Sequence, residues 1–435
     1  GLGLGLGLGL GLGLGLGLRL GLRLGIGLGL ALDLPSSPSH NVAVSPLPPP
    51  FSLSLDSNAR LAALAARGLL RQPRVVSGTQ GATVTVDGRE LLCFSSNNYL
   101  GFADHPALAA AGIAALQQSG SGSGASRLIS GNMTAHADAE AALAAYVNHP
   151  AARLFSTGYA ANVGSLQALA EPGDLLLSDE LNHASMIDGC RLSRARVERY
   201  RHVDLAHLRE LLVAHRPAAK RAFIVTDALF SMDGDVAPLV ALRALADEFD
   251  AWLYVDEAHS VGVLGSAGRG ACAAMGVRAD VLIGTLGKSF GLAGAFAASD
   301  PDTVAWLYNR ARSFVFSTGP QPSLAAQVVA AVPLLHAADR ERATLVRHSE
   351  RLRAHLRGLG FDVPSDPTPI VPVVLGAEAR ALEVSAQLME RGIFVVAIRP
   401  PTVPPGTARL RIVPTAAHTD EQLDVLMSAL TEVLA

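Results

Sequence analysis

The chain has 435 residues, enough for a large buried core and two domains. Its formal net charge of −3 at pH 7 indicates no polyanionic partner, so nucleic acid is not expected. Its three cysteines, Cys93, Cys190 and Cys272, lie far apart and lack metal-ligand spacing. They favour packing roles in a reducing compartment, and we expect a cytoplasmic protein without a metal site.

Residues 1–50 are predicted to be a low-complexity tail followed by a linker. Residues 1–34 alternate glycine with leucine, and residues 35–50 are rich in serine and proline. Glycine at every second position disfavours any regular element and adds too little apolar area for a transmembrane helix. The arginines of this stretch follow its apolar run, unlike those of a signal peptide. We therefore expect a disordered segment without a chemical role, and no membrane partner.

An N-terminal arm is predicted over residues 51–94. Leucines at helical spacing predict a short helix from Asn58 to Leu70, which Pro73 ends. Two strands, Ala82–Val86 and Glu90–Phe94, are predicted on either side of an Asp-Gly turn.

A large cofactor-binding domain is predicted over residues 95–333. It opens with a polar loop, residues 95–101, whose many hydrogen-bonding groups suit a substrate loop. Strands and helices then alternate, which predicts an α/β fold with a mostly parallel sheet flanked by helices on both faces. The main predicted elements are the helix Ala137–Tyr146 and the strands Asp174–Asp179, Ala222–Asp227, Trp252–Asp256 and Val281–Ile283.

A smaller α+β domain is predicted over residues 334–435, because the alternating pattern changes after Pro333. The predicted elements are the helices Arg340–Leu359 and Arg380–Arg391 and the strands Ile370–Leu375, Phe394–Ile398 and Leu410–Val413. A Pro-rich loop at residues 399–406 lies between the last two strands, and it is too rigid for an ordinary linker.

Two apolar strands lead into the residues that suit catalysis. The strand Trp252–Asp256 ends in a carboxylate, with His259 close behind, and Val281–Ile283 leads into a loop that carries Lys288. Lys288 is one of only two lysines in the chain. A partly desolvated lysine amine reacts as a neutral nucleophile, and its small neighbours let a planar cofactor approach. A carboxylate at the end of a parallel strand suits the pyridine nitrogen of pyridoxal phosphate.

Each of these residues also has an ordinary structural interpretation. Asp256 could cap a helix, and Lys288 could be a solvated loop residue. The turn into a helix at Gly158 could be a simple N-cap instead of a phosphate cradle. His183 could be a polar surface residue instead of a ring stacked on a cofactor. A nucleotide-binding phosphate loop is excluded, because a leucine occupies the position five residues before Gly287 where that loop needs glycine.

From about residue 60 to its end, the chain resembles the α-oxoamine synthases. These fold-type-I pyridoxal-phosphate enzymes condense an amino acid with an acyl thioester. The motifs that carry the resemblance are Ser95–Gly101, Gly122–Gly131, Phe230–Gly234, Asp256–His259 and Gly284–Lys288. The stretch Arg399–Pro404 followed by Thr407–Arg411 is more particular to the biotin-pathway branch. Asn98 stands where the family often has Asp.

The resemblance implies a role for each candidate residue. Lys288 would hold the cofactor covalently and then act as the base at the amino acid's Cα. Asp256 would pair with the pyridinium nitrogen, and His183 would stack on the ring and contact the substrate. The other implied cofactor contacts are His259 and Ser231 at the phenolic oxygen, and Gly158, Tyr159 and Thr285 at the phosphate. The implied substrate contacts are Arg411 at the amino-acid carboxylate and Arg71, Asn97 and Thr402 on the acyl side.

The resemblance also implies the substrates and partners. The biotin-pathway branch joins L-alanine to a pimeloyl thioester, carried on coenzyme A or on acyl-carrier protein, with loss of CO2. The segment Phe316–Gly319 resembles one that reaches the phosphate of a neighbouring subunit, which implies a homodimer.

Two alternatives stay open. A sister enzyme would use another amino acid or acyl group, as 2-amino-3-ketobutyrate ligase, 5-aminolevulinate synthase and serine palmitoyltransferase do. A cofactor-binding subunit without catalysis would be expected to lack one of Lys288, Asp256, His259 and Arg411, yet all four are present.

Overall fold

A computed structural model of the chain describes residues 53–434, so the predicted tail and linker lie outside the described residues. The strands are β1 (Val76–Ser77), β2 (Thr83–Val86), β3 (Arg89–Cys93), β4 (Ala151–Phe155), β5 (Leu175–Asp179), β6 (Arg196–Tyr200), β7 (Ala222–Asp227), β8 (Trp252–Asp256), β9 (Val281–Thr285), β10 (Ala295–Ser299), β11 (Val371–Gly376), β12 (Ile393–Phe394), β13 (Ala397–Ile398) and β14 (Ala408–Ile412). The helices are α1 (Leu53–Ala66), α2 (Pro106–Ser119), α3 (Thr134–Tyr146), α4 (Gly158–Leu169), α5 (Ala184–Ser193), α6 (Leu205–His215), α7 (Leu239–Glu248), α8 (Ala271–Ala274), α9 (Pro301–Arg310), α10 (Arg312–Val315), α11 (Pro322–Ala337), α12 (Asp339–Gly358), α13 (Glu378–Glu390) and α14 (Asp420–Leu434).

The central sheet has seven strands in the order β4–β10–β9–β8–β7–β5–β6. Strands β9, β8, β7, β5 and β6 run parallel, and β10 is antiparallel to both of its neighbours. Alternate residues of β5 enter two different apolar clusters: Leu175 and Leu177 lie in one, and Leu176 lies in the other. Because both faces of the sheet are covered, its strands read as continuous apolar runs. The predicted α/β fold with a mostly parallel sheet is confirmed.

Three neighbouring strands, β5, β7 and β8, end in the carboxylates Asp179, Asp227 and Asp256. Asp227 and Asp256 are direct register partners. The carboxyl ends of parallel strands are where open α/β sheets bind ligands, so this edge positions the site.

The smaller α+β domain predicted at the C-terminal end is present. Its antiparallel sheet has the order β11–β14–β13, and an apolar cluster joins this sheet to helices α12, α13 and α14. The predicted boundary after Pro333 stays a prediction, and Pro333 itself lies inside α11. Within residues 53–434, no helix combines the length and the apolar character needed to cross a bilayer.

The single strand predicted over Phe394–Ile398 is wrong. The chain there forms two short strands in different sheets: β12 pairs with β3, and β13 pairs with β14. The physical reason is the side chain of Ser95. Its hydroxyl donates to the carbonyl of Phe394 at 3.3 Å and accepts the N–H of Val396 at 2.9 Å. A side chain therefore takes the place of a partner strand where the backbone crosses from one sheet to the other.

Candidate active site

Lys288 lies in the loop after β9, and its Nζ is 2.8 Å from Nε2 of His259. Burial lowers the pKa of the Lys288 amine to about 8, although the carboxylates of Asp256 and Asp227 oppose that shift. A substantial neutral fraction therefore exists near neutral pH, as a lysine nucleophile requires. The contact with His259 and the lowered pKa distinguish Lys288 from an ordinary solvated loop residue.

His259 lies between Lys288 and Tyr99, and its Nδ1 is 2.6 Å from the Tyr99 hydroxyl. Burial, together with the positive charges of Lys288 and Arg411, lowers the pKa of His259 well below its usual value. The ring is therefore neutral, donating from one nitrogen and accepting at the other. When the Lys288 ammonium donates to Nε2, Nδ1 carries the proton and donates to the Tyr99 oxygen.

Asp256 is only 4 % exposed at the end of β8. Its Oδ2 accepts from the side-chain amide of Asn162 at 2.6 Å, and its Oδ1 accepts from the N–H of Ala258 at 2.8 Å. The Tyr254 hydroxyl donates to Oδ1 of Asn162 at 2.9 Å, which fixes which way that amide points. These contacts hold the carboxylate in one orientation at the edge of the sheet.

His183 is the N-cap of α5. Its Nδ1 accepts the backbone N–H of Ser185 at 3.3 Å and lies 2.7 Å from the Ser185 hydroxyl. Because Nδ1 accepts hydrogen bonds, the neutral ring carries its proton on Nε2. The Ser185 hydroxyl accepts in turn from Asn162 at 3.0 Å. Two side chains therefore connect the His183 ring to Asp256.

The phosphate-cradle interpretation of Gly158 gains support at the start of α4. The N-cap Thr157 accepts the N–H of Ala160 on its hydroxyl at 3.0 Å. The N–H groups of Gly158 and Tyr159 have no intrahelical acceptor. A Cβ added to Gly158 would lie 3.8 Å from Oγ1 of Thr285, so these two residues border one space. A helix N-terminus beside a hydroxyl suits an anion such as phosphate.

Arg411 reaches the site from β14. Its Nε donates to the carbonyl of Ser231 at 2.5 Å, and its Nη2 donates to the Tyr99 hydroxyl at 3.5 Å. Arg411 is 7 % exposed, and these two hydrogen bonds hold its guanidinium in place while leaving other N–H donors for a carboxylate. Arg411 of the smaller domain is thus connected to Lys288 by a chain of contacts that runs through Tyr99 and His259.

The residues predicted to contact the acyl substrate lie less close to Lys288 than the predicted cofactor contacts do. The Arg71 guanidinium donates to the Thr402 hydroxyl at 3.1 Å. Asn97 lies nearer the centre, with its Oδ1 3.4 Å from the Tyr99 hydroxyl. In the part of the chain that the structure describes, neither Arg71 nor Thr402 hydrogen-bonds to Lys288. Their role in binding the acyl substrate stays a prediction.

Asn98 fits its surroundings as an amide. Its side chain donates to the carbonyl of Gln80 at 2.7 Å and accepts the N–H of Ala103 at 3.2 Å. An ionised aspartate only accepts, so it could not make both bonds. The departure from the family pattern is therefore accommodated locally.

Asp227 was missed by the sequence analysis. It is 4 % exposed, and its Oδ2 accepts the backbone N–H of His183 at 2.8 Å. Burial and the neighbouring charge of Asp256 raise the pKa of Asp227 well above its usual value. A signal was present, since three predicted strands each end in Asp. Asn162 and Tyr99 were also missed as site residues, and nothing in the pattern around Asn162 marks it.

The residues present fit pyridoxal phosphate. A buried amine of lowered pKa, a fixed carboxylate, a neutral imidazole and a helix N-terminus lie around the carboxyl edge of one sheet. They match, respectively, the aldehyde, the pyridine nitrogen, the phenolic oxygen and the phosphate of that cofactor. The sequence-based prediction of this cofactor therefore agrees with the chemistry of the donor set.

Comparisons with known proteins give the family. Residues 89–430 match the sequence model of the family described as aminotransferase class I and II. An 8-amino-7-oxononanoate synthase from Geotalea daltonii is 47 % identical, over 86 % of this chain and 96 % of that protein. One from Geobacter metallireducens is 49 % identical, over 83 % and 93 %.

Comparison with solved structures points to the same family. The serine palmitoyltransferase of Sphingomonas wittichii superposes with a TM-score of 0.83 at 32 % identity, covering 89 % of this chain and 98 % of that one. The 8-amino-7-oxononanoate synthase of Francisella tularensis gives 0.69 at 27 % identity, covering 79 % and 98 %. The chain belongs to the class I and II aminotransferase family and, within it, to the 8-amino-7-oxononanoate synthases.

Proposed function

We propose that this chain uses pyridoxal phosphate to condense L-alanine with a pimeloyl thioester, releasing CO2 and the thiol carrier. The product is 8-amino-7-oxononanoate, in the biosynthesis of biotin. The observation that carries the proposal is the Lys288 amine, which has a pKa of about 8 and lies 2.8 Å from a neutral His259. The relatives at 47 % and 49 % identity carry out the same synthesis by name.

Each residue around Lys288 has a proposed part in holding the cofactor. When bound, pyridoxal phosphate supplies an electron-withdrawing ring that makes the Cα proton of the amino acid acidic. The proposed contacts are Lys288 at the aldehyde carbon, Asp256 at the pyridine nitrogen, His183 on the ring face, Ser231 and His259 at the phenolic oxygen, and Gly158, Tyr159 and Thr285 at the phosphate.

Lys288 is proposed to move the proton at Cα. Its neutral amine can take that proton, and the carboxylate of Asp256 stabilises the ammonium that results. His259 accepts a hydrogen bond from the ammonium at Nε2 and donates its Nδ1–H to the Tyr99 hydroxyl. The ammonium therefore keeps a fixed position from which it can return a proton.

Arg411 is proposed to bind the carboxylate of alanine. Because the Ser231 carbonyl already fixes its Nε, the guanidinium needs little further ordering when the substrate arrives. Arg71, Asn97 and Thr402 are proposed to line the path of the acyl group. Coenzyme A and acyl-carrier protein both present the same thioester there.

We also propose a homodimer. Ile129 is 80 % exposed and Phe316 is 72 % exposed, and a backbone bridge between Ser126 and Thr318 joins the segments that carry them. Large exposed apolar side chains on adjoining segments are typical of a protein–protein contact. The three cysteines are free and buried, which supports the proposed cytoplasmic location.

The experiment is reconstitution with pyridoxal phosphate, followed by addition of L-alanine and pimeloyl-coenzyme A. We expect a visible absorption band that changes with alanine, and 8-amino-7-oxononanoate detected by mass spectrometry. Lys288→Ala should remove both the band and the product. Lys220→Ala is the matched control, because Lys220 is the other lysine of the chain and is exposed. This variant should leave the band and the product unchanged.

Two results would contradict the proposal. One is a wild-type protein that binds no pyridoxal phosphate. The other is turnover of an acetyl or palmitoyl thioester that equals or exceeds turnover of the pimeloyl thioester. The second result would favour a sister enzyme of the same family.

A further inference from the structure

Asp227 is a buried carboxylate with no contact to the cofactor or substrate in the proposed function. It is 4 % exposed and lies beside Asp256, its register partner on the neighbouring strand. Two adjacent carboxylates are costly to bury unless hydrogen bonds compensate each of them. The hydrogen bonds of Asp227 therefore indicate what the residue holds in place.

Asp227 is tied to the segment that leads into α5. Its Oδ2 accepts the N–H of His183 at 2.8 Å, and its own N–H donates to Oδ1 of Asn182 at 2.9 Å. The Asn182 amide also donates to the carbonyl of Val225 at 2.8 Å. Hydrogen bonds in both directions thus join the end of β7 to the two residues before the helix.

The imidazole of His183 depends on this backbone. Its Nδ1 is 2.7 Å from the hydroxyl of Ser185, the second residue of the helix. Asn162 connects that hydroxyl to Asp256 through bonds of 3.0 Å and 2.6 Å. The ring is thus held by Asp256 through two side chains, and the backbone that carries it is held by Asp227.

We propose that Asp227 is a positioning residue: by accepting the His183 N–H, it fixes the N-cap of α5 and with it the orientation of the His183 ring. Asp227 acts only through His183. The inference rests on the proposed function for what the ring does, namely stack on the cofactor. The hydrogen bond can be tested without that assumption.

Variants at position 227 separate the effect of the hydrogen bond to the His183 N–H from the effect of a negative charge at that position. Asp227→Asn keeps an acceptor oxygen, whereas Asp227→Leu keeps the approximate volume without an acceptor. Asp174→Asn is the matched control, because Asp174 is a carboxylate of 1 % exposure that pairs with Arg221 just before the opposite end of β5. The measurements are the Kd for pyridoxal phosphate and the visible circular dichroism of the bound cofactor, which reports how the ring is held.

The bond predicts a specific order among these variants. Asp227→Asn and Asp174→Asn should keep the wild-type dichroism and Kd. Asp227→Leu should weaken the dichroism and raise the Kd about tenfold, because it removes the acceptor of the His183 N–H and frees the N-cap. An unchanged Asp227→Leu protein would overturn the proposal. So would equal losses in Asp227→Asn and Asp227→Leu, since the charge would then matter instead of the bond.

Hydrogen exchange in the wild-type apoprotein tests the bond even if Asp227→Leu does not fold. The His183 amide should exchange slowly, while the neighbouring Ala184 amide, at the first helical position without an intrahelical acceptor, should exchange fast. Equally fast exchange at both amides would contradict the proposal. A wild-type protein that binds no pyridoxal phosphate would instead contradict the proposed function, and the exchange result would still stand.

Discussion

At the scale of single residues, burial sets the proton affinity of the groups around Lys288. Desolvation disfavours the charged form of each group, and it moves the pKa of Lys288 and His259 down and that of Asp227 up. These shifts all favour neutral groups before the cofactor binds. A neutral amine beside a neutral imidazole is the state in which Lys288 can react.

The lowered pKa of Lys288 predicts how cofactor capture depends on pH. The rate constant for capture of pyridoxal phosphate by the apoprotein should rise about tenfold per pH unit below the pKa, because the neutral amine reacts, and level off above about 8. Stopped-flow absorbance measures this rate. In Asp256→Asn the plateau should begin at lower pH, because that carboxylate raises the pKa. A rate that keeps rising towards the ordinary lysine value of 10.5 would show that the amine is not buried.

His202 predicts a pH-dependent contribution to stability. Burial would lower its pKa, but hydrogen bonds to Asp179 at 3.0 Å and Asp235 at 2.8 Å raise it to about 10. Because the folded-state pKa is raised, the stabilisation is fully present below the ordinary value of 6.5 and is lost as pH rises through about 10.

The matching variant is His202→Gln. It should lower the free energy of unfolding by about 1–2 kcal/mol below pH 6.5, and the difference from wild type should shrink towards pH 10. Urea denaturation at several pH values measures both quantities. A difference that does not change with pH would mean that His202 is uncharged in the folded protein.

At the scale of elements, the fit between β9 and β10 depends on one glycine. Gly284 is the direct register partner of Phe296, and a Cβ at position 284 would collide with that ring. Gly284→Ala should lower the free energy of unfolding by about 1–3 kcal/mol, the usual cost of overpacking. Gly358→Ala, at the open end of α12, is the control and should be neutral or stabilising. Equal stability of the two variants in urea would contradict this packing.

The start of α4 predicts a variant that separates cofactor binding from folding. A Cβ on Gly158 makes ordinary contact with Thr285, so Gly158→Ala should melt at the wild-type temperature. The same methyl group would occupy the space proposed for the phosphate and should raise the Kd for pyridoxal phosphate about tenfold. Titration of the apoprotein measures the Kd. An unchanged Kd would place the phosphate elsewhere.

At the scale of the whole molecule, three parts of the chain meet around Lys288. The loop after β3 brings Tyr99, the large sheet brings Asp256 and His259, and β14 brings Arg411. Arg409 on the same strand donates to Asp233 at 2.5 Å and so ties the smaller domain to the loop that carries Ser231. The position of the Arg411 guanidinium therefore depends on how these segments pack together.

The proposed homodimer makes a further prediction at this scale. The wild-type protein should sediment at twice the mass of one chain, and Ile129→Asp with Phe316→Asp should sediment as a monomer, because charge is costly in a buried apolar contact. Val213→Asp is the control, since Val213 is 61 % exposed on α6, away from those two segments. A monomeric wild type, or a double variant that stays dimeric, would contradict the proposed contact.

Much of the fold could be read from local pattern. The strands Ala222–Asp227 and Trp252–Asp256 have the predicted bounds, because continuous apolar runs that end in a polar residue identify buried parallel strands. The strand over Phe394–Ile398 could not be predicted correctly, because a serine nearly three hundred residues away in sequence splits it. The helix predicted from Asn58 to Leu70 begins and ends earlier, since leucine spacing locates a helix better than its ends.

Residue types and their spacing along the chain were enough to predict the α/β architecture and the family. They also predicted Asp256, His259 and Arg411 as groups near Lys288, but they did not mark Asp227, Asn162 or Tyr99. The pKa values of those groups depend on the folded structure. The register of β7 on β8 sets Asp227 beside Asp256, and folding brings the Lys288 amine to 2.8 Å from the His259 ring. Both follow from contacts between residues far apart in sequence, and a pKa responds to burial and neighbouring charge, which local spacing does not specify.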